Sequence, residues 1–217
     1  MSRVLVTGFG AYAQETDNPS GLIAQRLDGR RLDGFDVVGR VLPVDTEAVR
    51  EALSAAIEFA QADVILVTGV APGRTAPALE RVAINVRDFP IPDIEGRTPV
   101  DEPVEPDAPA AYLSTLPVKA IVDGWRRAGI PGYVSNTAGT YLCNQTFYLA
   151  RHLARESAAR VGMLHVPVTP ARAVEAVAPQ PIPSVSLDQL EAAVLLAISI
   201  AARFEGPDLP IGGGAIS

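Results

Sequence analysis

Alternation organises this chain. Runs rich in valine and isoleucine at 4–7, 35–41, 64–68, 81–86, 132–135 and 160–166 read as strands. Between them, helices are expected at 46–60, where Val49, Leu53, Ala56, Ile57 and Ala60 share one face, and at 118–128, 141–157 and 187–204. A βαβα order needs crossover connections, so the predicted fold class is α/β: a three-layer α/β/α sandwich around a mostly parallel, twisted open sheet. Two strands end alike, in VLVTG at 4–8 and ILVTG at 65–69. Ligands in open sheets collect at the carboxyl ends of strands, so both Thr-Gly ends are expected to border one crevice. The 217 residues suit a single domain, 1–217, with a core of good size. The proline-dense stretches 89–109 and 167–183 read as loops, and a mobile tail is expected from about 206.

Charge narrows the partners. With 25 acidic against 18 basic residues the formal charge is −7, and the paired arginines Arg30-Arg31 and Arg126-Arg127 are too sparse for a nucleic-acid surface. With no basic-then-apolar leader ahead of the first strand, a cytoplasmic location is expected. The most apolar helix, 190–204, has an uncharged centre only from 192 to 202, too short to cross a bilayer; it is expected to be buried or to form one face of a subunit contact. No membrane association is therefore expected. One cysteine permits no internal disulfide, and two scattered histidines lack the spacing of a zinc site. No metal and no cofactor are expected.

The first strand leads into VLVTGFGAYAQETDNPSG, whose G-x-G-x-x-A could be the phosphate turn of a dinucleotide-binding unit using Gly8 and Gly10. In that unit the helix opens inside the glycine motif. Here such a helix would meet Asp17-Asn18-Pro19-Ser20-Gly21, where proline removes a donor and clashes with the preceding turn. A helix start with Pro19 or Ser20 at the cap, and Leu22, Ile23 and Leu27 on the apolar face, is the better reading. The glycines then open a surface loop of about a dozen residues, a length usually reserved for function.

Chemistry points to the single cysteine. In SNTAGTYLCNQTFYLARHLARESA, Cys143 falls in the first turn of the helix after a strand, where the positive end of the helix dipole favours the thiolate. A buried cysteine that merely packs is the alternative. The base must be His152 or His165. His152 lies nine residues along the same helix, on the opposite face and about 13 Å away, so it cannot reach the sulfur. His165 stands near the end of the strand RVGMLHVPV, where a parallel arrangement could bring it to the cysteine helix. A carboxylate would orient the imidazole, and Glu80, Asp88 and Asp93 are all candidates on chemistry alone.

The segments VTGFGAYAQETDNPSG, GVAPGRTAPALERVAINVRD, AAYLSTLPVKAIV, SNTAGTYLCNQTFY and LHVPVTP, in this order, resemble the pyroglutamyl peptidase I (pyrrolidone-carboxylate peptidase) family. The resemblance implies a cysteine-type omega peptidase that removes N-terminal pyroglutamate from peptides, on an α/β/α fold, as a homo-oligomer, dimer or tetramer. It implies Glu80, Cys143 and His165 as the catalytic residues. It also implies substrate-binding roles for Phe9, Tyr12, Asn18, Ile91, Tyr141 and Leu142. The chain departs from the family pattern at Ala11 and Tyr12, where proline and phenylalanine are usual, and at Val70, which replaces a glutamine. Phe89, Pro90 and Ile94 likewise replace alanine, arginine and asparagine. An amide and a guanidinium are thereby lost near the expected pocket, which bears on ring specificity rather than on the catalytic residues. A cysteine hydrolase acting on another small acyl or lactam group is the alternative function.

Overall fold

The structure is a computed structural model describing residues 2–12, 18–32, 34–175 and 181–214. Its elements in chain order are β1 (Ser2–Phe9), α1 (Pro19–Leu27), β2 (Arg31–Leu32), β3 (Phe35–Leu42), α2 (Ala48–Ala60), β4 (Val64–Val70), β5 (Ala78–Glu80) and β6 (Val82–Ile84). There follow β7 (Ala111–Leu113), α3 (Val118–Arg127), β8 (Tyr133–Ser135), α4 (Leu142–Leu153), β9 (Arg160–Val166), α5 (Pro170–Glu175) and α6 (Leu187–Arg203).

Among the described residues seven strands form one sheet in the order β2-β3-β1-β4-β9-β5-β8, and β6 pairs with β7 in a small second sheet. The pairs β1–β3, β1–β4, β4–β9 and β5–β8 are parallel, whereas β2–β3 and β5–β9 are antiparallel. Alternation along the central strands feeds two cores. Val4, Val6, Val64 and Leu66 face one of them, with Ile23 and Leu27 of α1, Ile121 and Trp125 of α3 and Leu190, Val194 and Ile198 of α6. Leu5, Ile65 and Val67 face the other, with Val49 and Leu53 of α2 and Phe147 and Leu149 of α4. This is the expected three-layer sandwich. Helix α6 is spent on the first core, and no helix of the described residues is long and apolar enough to cross a membrane.

Local chemistry explains the boundaries. Helix α1 is capped by Asn18, whose Oδ1 accepts from Ser20 N at 3.0 Å, with Pro19 in the first turn. The cap therefore lies one residue before Pro19 and two before Ser20, and Leu22 is only partly buried. Gly8 and Gly21 stand where the loop folds back: a Cβ on Gly8 would strike Ser20 O, and one on Gly21 would strike Phe9 O. These glycines serve strand–helix packing. Helix α4 stops before the expected end at 157, because Ala154 closes the last turn and Ser157 Oγ donates to Ala154 O at 2.8 Å. Helix α3 has no capping side chain at Pro117; Asp208 accepts from Lys119 N at 2.9 Å and from Ala120 N at 3.0 Å instead. The tail, expected to be mobile from about 206, also accepts a bond from Arg81 at Gly213 O.

Two expectations need correction. The strand expected at 81–86 is only β6, at Val82–Ile84 in the small second sheet, and the strand that enters the main sheet is β5, at Ala78–Glu80 just before it. β5 joins the main sheet, whereas Ile84 N donates to the Asn144 side chain at 2.9 Å and β6 leaves with β7. The stretch 167–183 is also not all loop, since α5 lies within it.

Candidate active site

Strand parity brings the site together. On β9, Val161 and Met163 belong to the core under α2 and α4, and Leu164 and Val166 to the opposite core, so His165 faces the α4 side. Leu79 of β5 packs into the opposite core, which turns Ala78 and Glu80 to the α4 side as well. His165 is registered between Gly69 of β4 and Ala78 of β5, and Glu80 pairs with Met163. Because β5 runs antiparallel to β9, Glu80 is a diagonal neighbour of His165 on one face. The glutamate Oε1 lies 2.7 Å from the imidazole Nδ1, with Glu80 wholly buried and His165 only 4% exposed.

Cys143 arrives from below on α4, in the first turn and partly buried. The first helical bond there runs from Gln145 N to Tyr141 O, leaving the N–H groups of Leu142, Cys143 and Asn144 at the helix end without helical acceptors. Gly69 leaves room for the sulfur: a Cβ on it would stand 2.7 Å from Cys143 Sγ, 3.1 Å from Met163 Cε and 3.5 Å from His165 Cδ2. The sulfur and the Nε2 edge of the imidazole thus share one niche. Burial alone would lower the His165 pKa, but the interaction with Cys143 and then that with Glu80 prevail and raise it to about 9. The raised value keeps the imidazole protonated beside the sulfur at neutral pH.

The other candidates are engaged elsewhere. Asp88 is exposed and tied through its backbone to Thr140. Asp93 accepts from the N–H groups of Thr46, Glu95 and Arg97; burial opposes its ionisation, but these bonds outweigh it and lower its pKa. His152 Nδ1 sits 3.0 Å from the Tyr112 hydroxyl and its ring stacks on Tyr148, remote from the sulfur as the helix geometry required.

A cavity of about 240 Å³ opens beside Cys143. Phe9, Tyr12, Asn18, Ile91, Tyr141 and Leu142 all line it, so the structure gathers every expected pocket residue around the sulfur. The Tyr12 and Tyr141 hydroxyls both donate to Pro92 O, at 2.5 and 3.0 Å, and Phe89 packs on Tyr141 with ring centroids 4.5 Å apart. The hydroxyl that Tyr12 adds is thus turned to the 89–94 loop. Asn18 is largely committed to its own loop, since Oδ1 accepts from Ser20 and Nδ2 donates to Gly10 O at 3.2 Å.

Sequence reasoning missed Val44, Pro72 and Arg172 on the cavity wall, Asn144 beside Cys143, and Arg74, whose Nη2 lies 2.8 Å from Glu80 Oε1. Asn144 spans from α4 to β6, accepting from Ile84 N and donating to the carbonyls of Ile84 and Val86, each at 2.9 Å. Its place directly after the cysteine was a signal of sorts. Arg74 had none, because its partner is fixed only when β5 enters the sheet.

The same chemistry recurs on unrelated folds, so geometry alone does not assign a family. Comparison does. The family model described as pyroglutamyl peptidase matches residues 2–204. The pyrrolidone-carboxylate peptidase of Vibrio campbellii is 46% identical, over 78% of this chain and 80% of its own. That of Yersinia pestis is 42% identical over the full length of both chains. Among solved structures, pyrrolidone carboxyl peptidase from Thermococcus litoralis superposes with a TM-score of 0.94 at 34% identity, covering 98% of this chain and 100% of that one. A mutant of the Pyrococcus furiosus enzyme gives 0.89 at 41% identity, covering 92% and 97%. Agreement in sequence and in fold, along nearly the whole chain, makes this protein a member of the pyroglutamyl peptidase family.

Proposed function

We propose that the chain is a cysteine-type omega peptidase that removes N-terminal pyroglutamate from peptides, with Cys143 as nucleophile, His165 as proton carrier and Glu80 as the group that orients it. The observation that carries this reading is the imidazole held by Glu80 against the niche of Cys143, at the wall of a mainly apolar cavity. The thiolate attacks the carbonyl that joins pyroglutamate to the next residue. The free N–H groups at the start of α4 receive the developing oxyanion. His165 gives its proton to the departing amine, leaving a thioester. Water, deprotonated by the now neutral imidazole, cleaves the thioester, and pyroglutamic acid leaves with the thiol–imidazole pair restored.

Pyroglutamate is a small neutral lactam, which suits a cavity walled by Phe9, Tyr12, Ile91, Tyr141 and Leu142 with few polar groups. Hydrolysis of a pyroglutamyl-amide dye between pH 6 and 9, abolished in Cys143→Ala, is the expected result. Folded, reduced protein with no turnover across that range refutes the reading. Val70 on the wall and Pro90 in the adjoining loop, where the family carries an amide and a guanidinium, favour a second reading in which the same chemistry serves another small acyl or lactam group. A series of dye amides differing only in the acyl ring separates the two. We also infer a cytoplasmic homo-oligomer, dimer or tetramer, from the family resemblance. Exposed Phe59, Val100, Leu113 and Val174 offer apolar surface for such contacts, and sedimentation at two concentrations tests it.

A further inference from the structure

Glu80 raises a question that the three catalytic residues leave open. Its carboxylate is wholly buried, and both donors that reach it, His165 Nδ1 at 2.7 Å and Arg74 Nη2 at 2.8 Å, converge on Oε1. Oε2 is buried and has no hydrogen-bond partner among the described residues. A carboxylate in that position, held by an imidazole alone, would be free to turn about its last torsion and would carry an uncompensated charge whenever the imidazole is neutral.

Arg74 is built to prevent both. It lies in the β4–β5 connection, and its guanidinium is itself anchored. Nη1 is 3.3 Å from the Tyr133 hydroxyl and Nη2 is 3.5 Å from Ser135 Oγ, both on β8, and the group lies 5.8 Å from the Tyr133 ring centroid. Its side chain is 20% exposed and it does not line the substrate cavity. The charged and titratable groups that meet here are Glu80 from β5, His165 from β9, Cys143 from α4, Arg74 from its loop and the Tyr133 phenol from β8.

We propose that Arg74 is a positioning residue for the proposed reaction: it locks the Glu80 carboxylate toward His165 and, as a fixed positive charge behind it, sets the pH window in which the Cys143–His165 pair works. The inference rests on the reading of Cys143, His165 and Glu80 as the reacting group. Its sign follows from electrostatics. Removing a permanent cation favours the protonated state of every neighbouring group, so both limbs of the pH profile move upward.

The experiment compares wild type, Arg74→Gln and Arg74→Lys, each checked for folding by thermal melt. Pyroglutamyl-amide hydrolysis and Cys143 alkylation by iodoacetamide are followed from pH 5 to 10. In Arg74→Gln, kcat is expected to fall about tenfold with KM nearly unchanged, and both limbs of kcat/KM to rise by about one pH unit. The alkylation profile moves with the acid limb, and Arg74→Lys restores most of its position. If Arg74→Gln does not fold, the Lys variant and Tyr133→Phe, which removes one anchor of Arg74, are expected to show smaller shifts in the same direction. A loss of kcat with limbs and alkylation profile unmoved, or moved downward, overturns the proposal. If the wild type hydrolyses no pyroglutamyl amide, it is the activity reading that fails, and the alkylation profiles still decide the role of Arg74.

Discussion

Gly69→Ala is the sharpest test of the site geometry. The added Cβ would stand 2.7 Å from Cys143 Sγ and 3.1 Å from Met163 Cε. Ordinary contact needs about 3.5–4.0 Å, so the sulfur must retreat by about 1 Å. Gly69 has no positive φ, and alanine therefore meets no backbone obstacle on β4. The Met163 side chain can flex, but Cys143 Sγ is one torsion from a helix backbone and has only rotation about that bond to escape by. A displacement of about 1 Å at a reacting atom costs about 100-fold in rate, or about 2.7 kcal/mol of transition-state stabilisation. Overpacking of the fold itself should cost about 1–3 kcal/mol. Pyroglutamyl-amide kinetics, Cys143 alkylation rates and a thermal melt on the same preparation separate these effects. The expected outcome is a folded protein, slightly less stable, with kcat/KM about two orders of magnitude lower and slowed alkylation. A variant retaining activity within about threefold would falsify the placement of the sulfur against β4.

Other outcomes follow from the same geometry. Folding raises the His165 imidazole from 6.5 to about 9, and a group so raised contributes stability that is fully present below its unfolded value and lost as pH climbs through the folded one. The melting temperature is therefore expected to fall between about pH 6.5 and about 9, and to fall less in Cys143→Ala, where the leading raising partner is gone; parallel curves for the two proteins would refute this. Asp208→Ala uncaps α3, and calorimetry is expected to show a loss of about 1 kcal/mol with unchanged turnover. Tyr12→Phe removes a hydroxyl bonded to Pro92 O, which Tyr141 still contacts. Its kcat/KM on pyroglutamyl amides should stay within about threefold at a cost of about 1 kcal/mol or less in stability, whereas a large rise in KM would show that this hydroxyl reads the substrate.

Much of this architecture was legible residue by residue. The helix beginning at Asn18-Pro19-Ser20 could be read because proline and a capping side chain act on neighbouring backbone alone. The exclusion of His152 needed only helical pitch. Less was legible around ERVAIN: its apolar run reads as a strand from Arg81, yet β5 ends at Glu80 just before it and only Val82–Ile84 continues as β6, because their hydrogen-bonding partners lie on β8, β9, β7 and the Asn144 side chain. The choice among Glu80, Asp88 and Asp93, open on chemistry alone, becomes a matter of geometry once β5 inserts between β9 and β8.

By itself the order of residues determined the α/β class, the helix start around Asn18-Pro19-Ser20, and a cysteine in the opening turn of a helix. Each of these is written in contiguous residues through periodicity, torsional preference or capping. Only the tertiary structure decided that β5 runs against β9, which sets Glu80 diagonally beside His165, backs it with Arg74, and leaves Gly69 as the space into which Cys143 fits. Sheet order and register are chosen by hydrogen bonds and packing between segments far apart along the chain, and no local pattern specifies them.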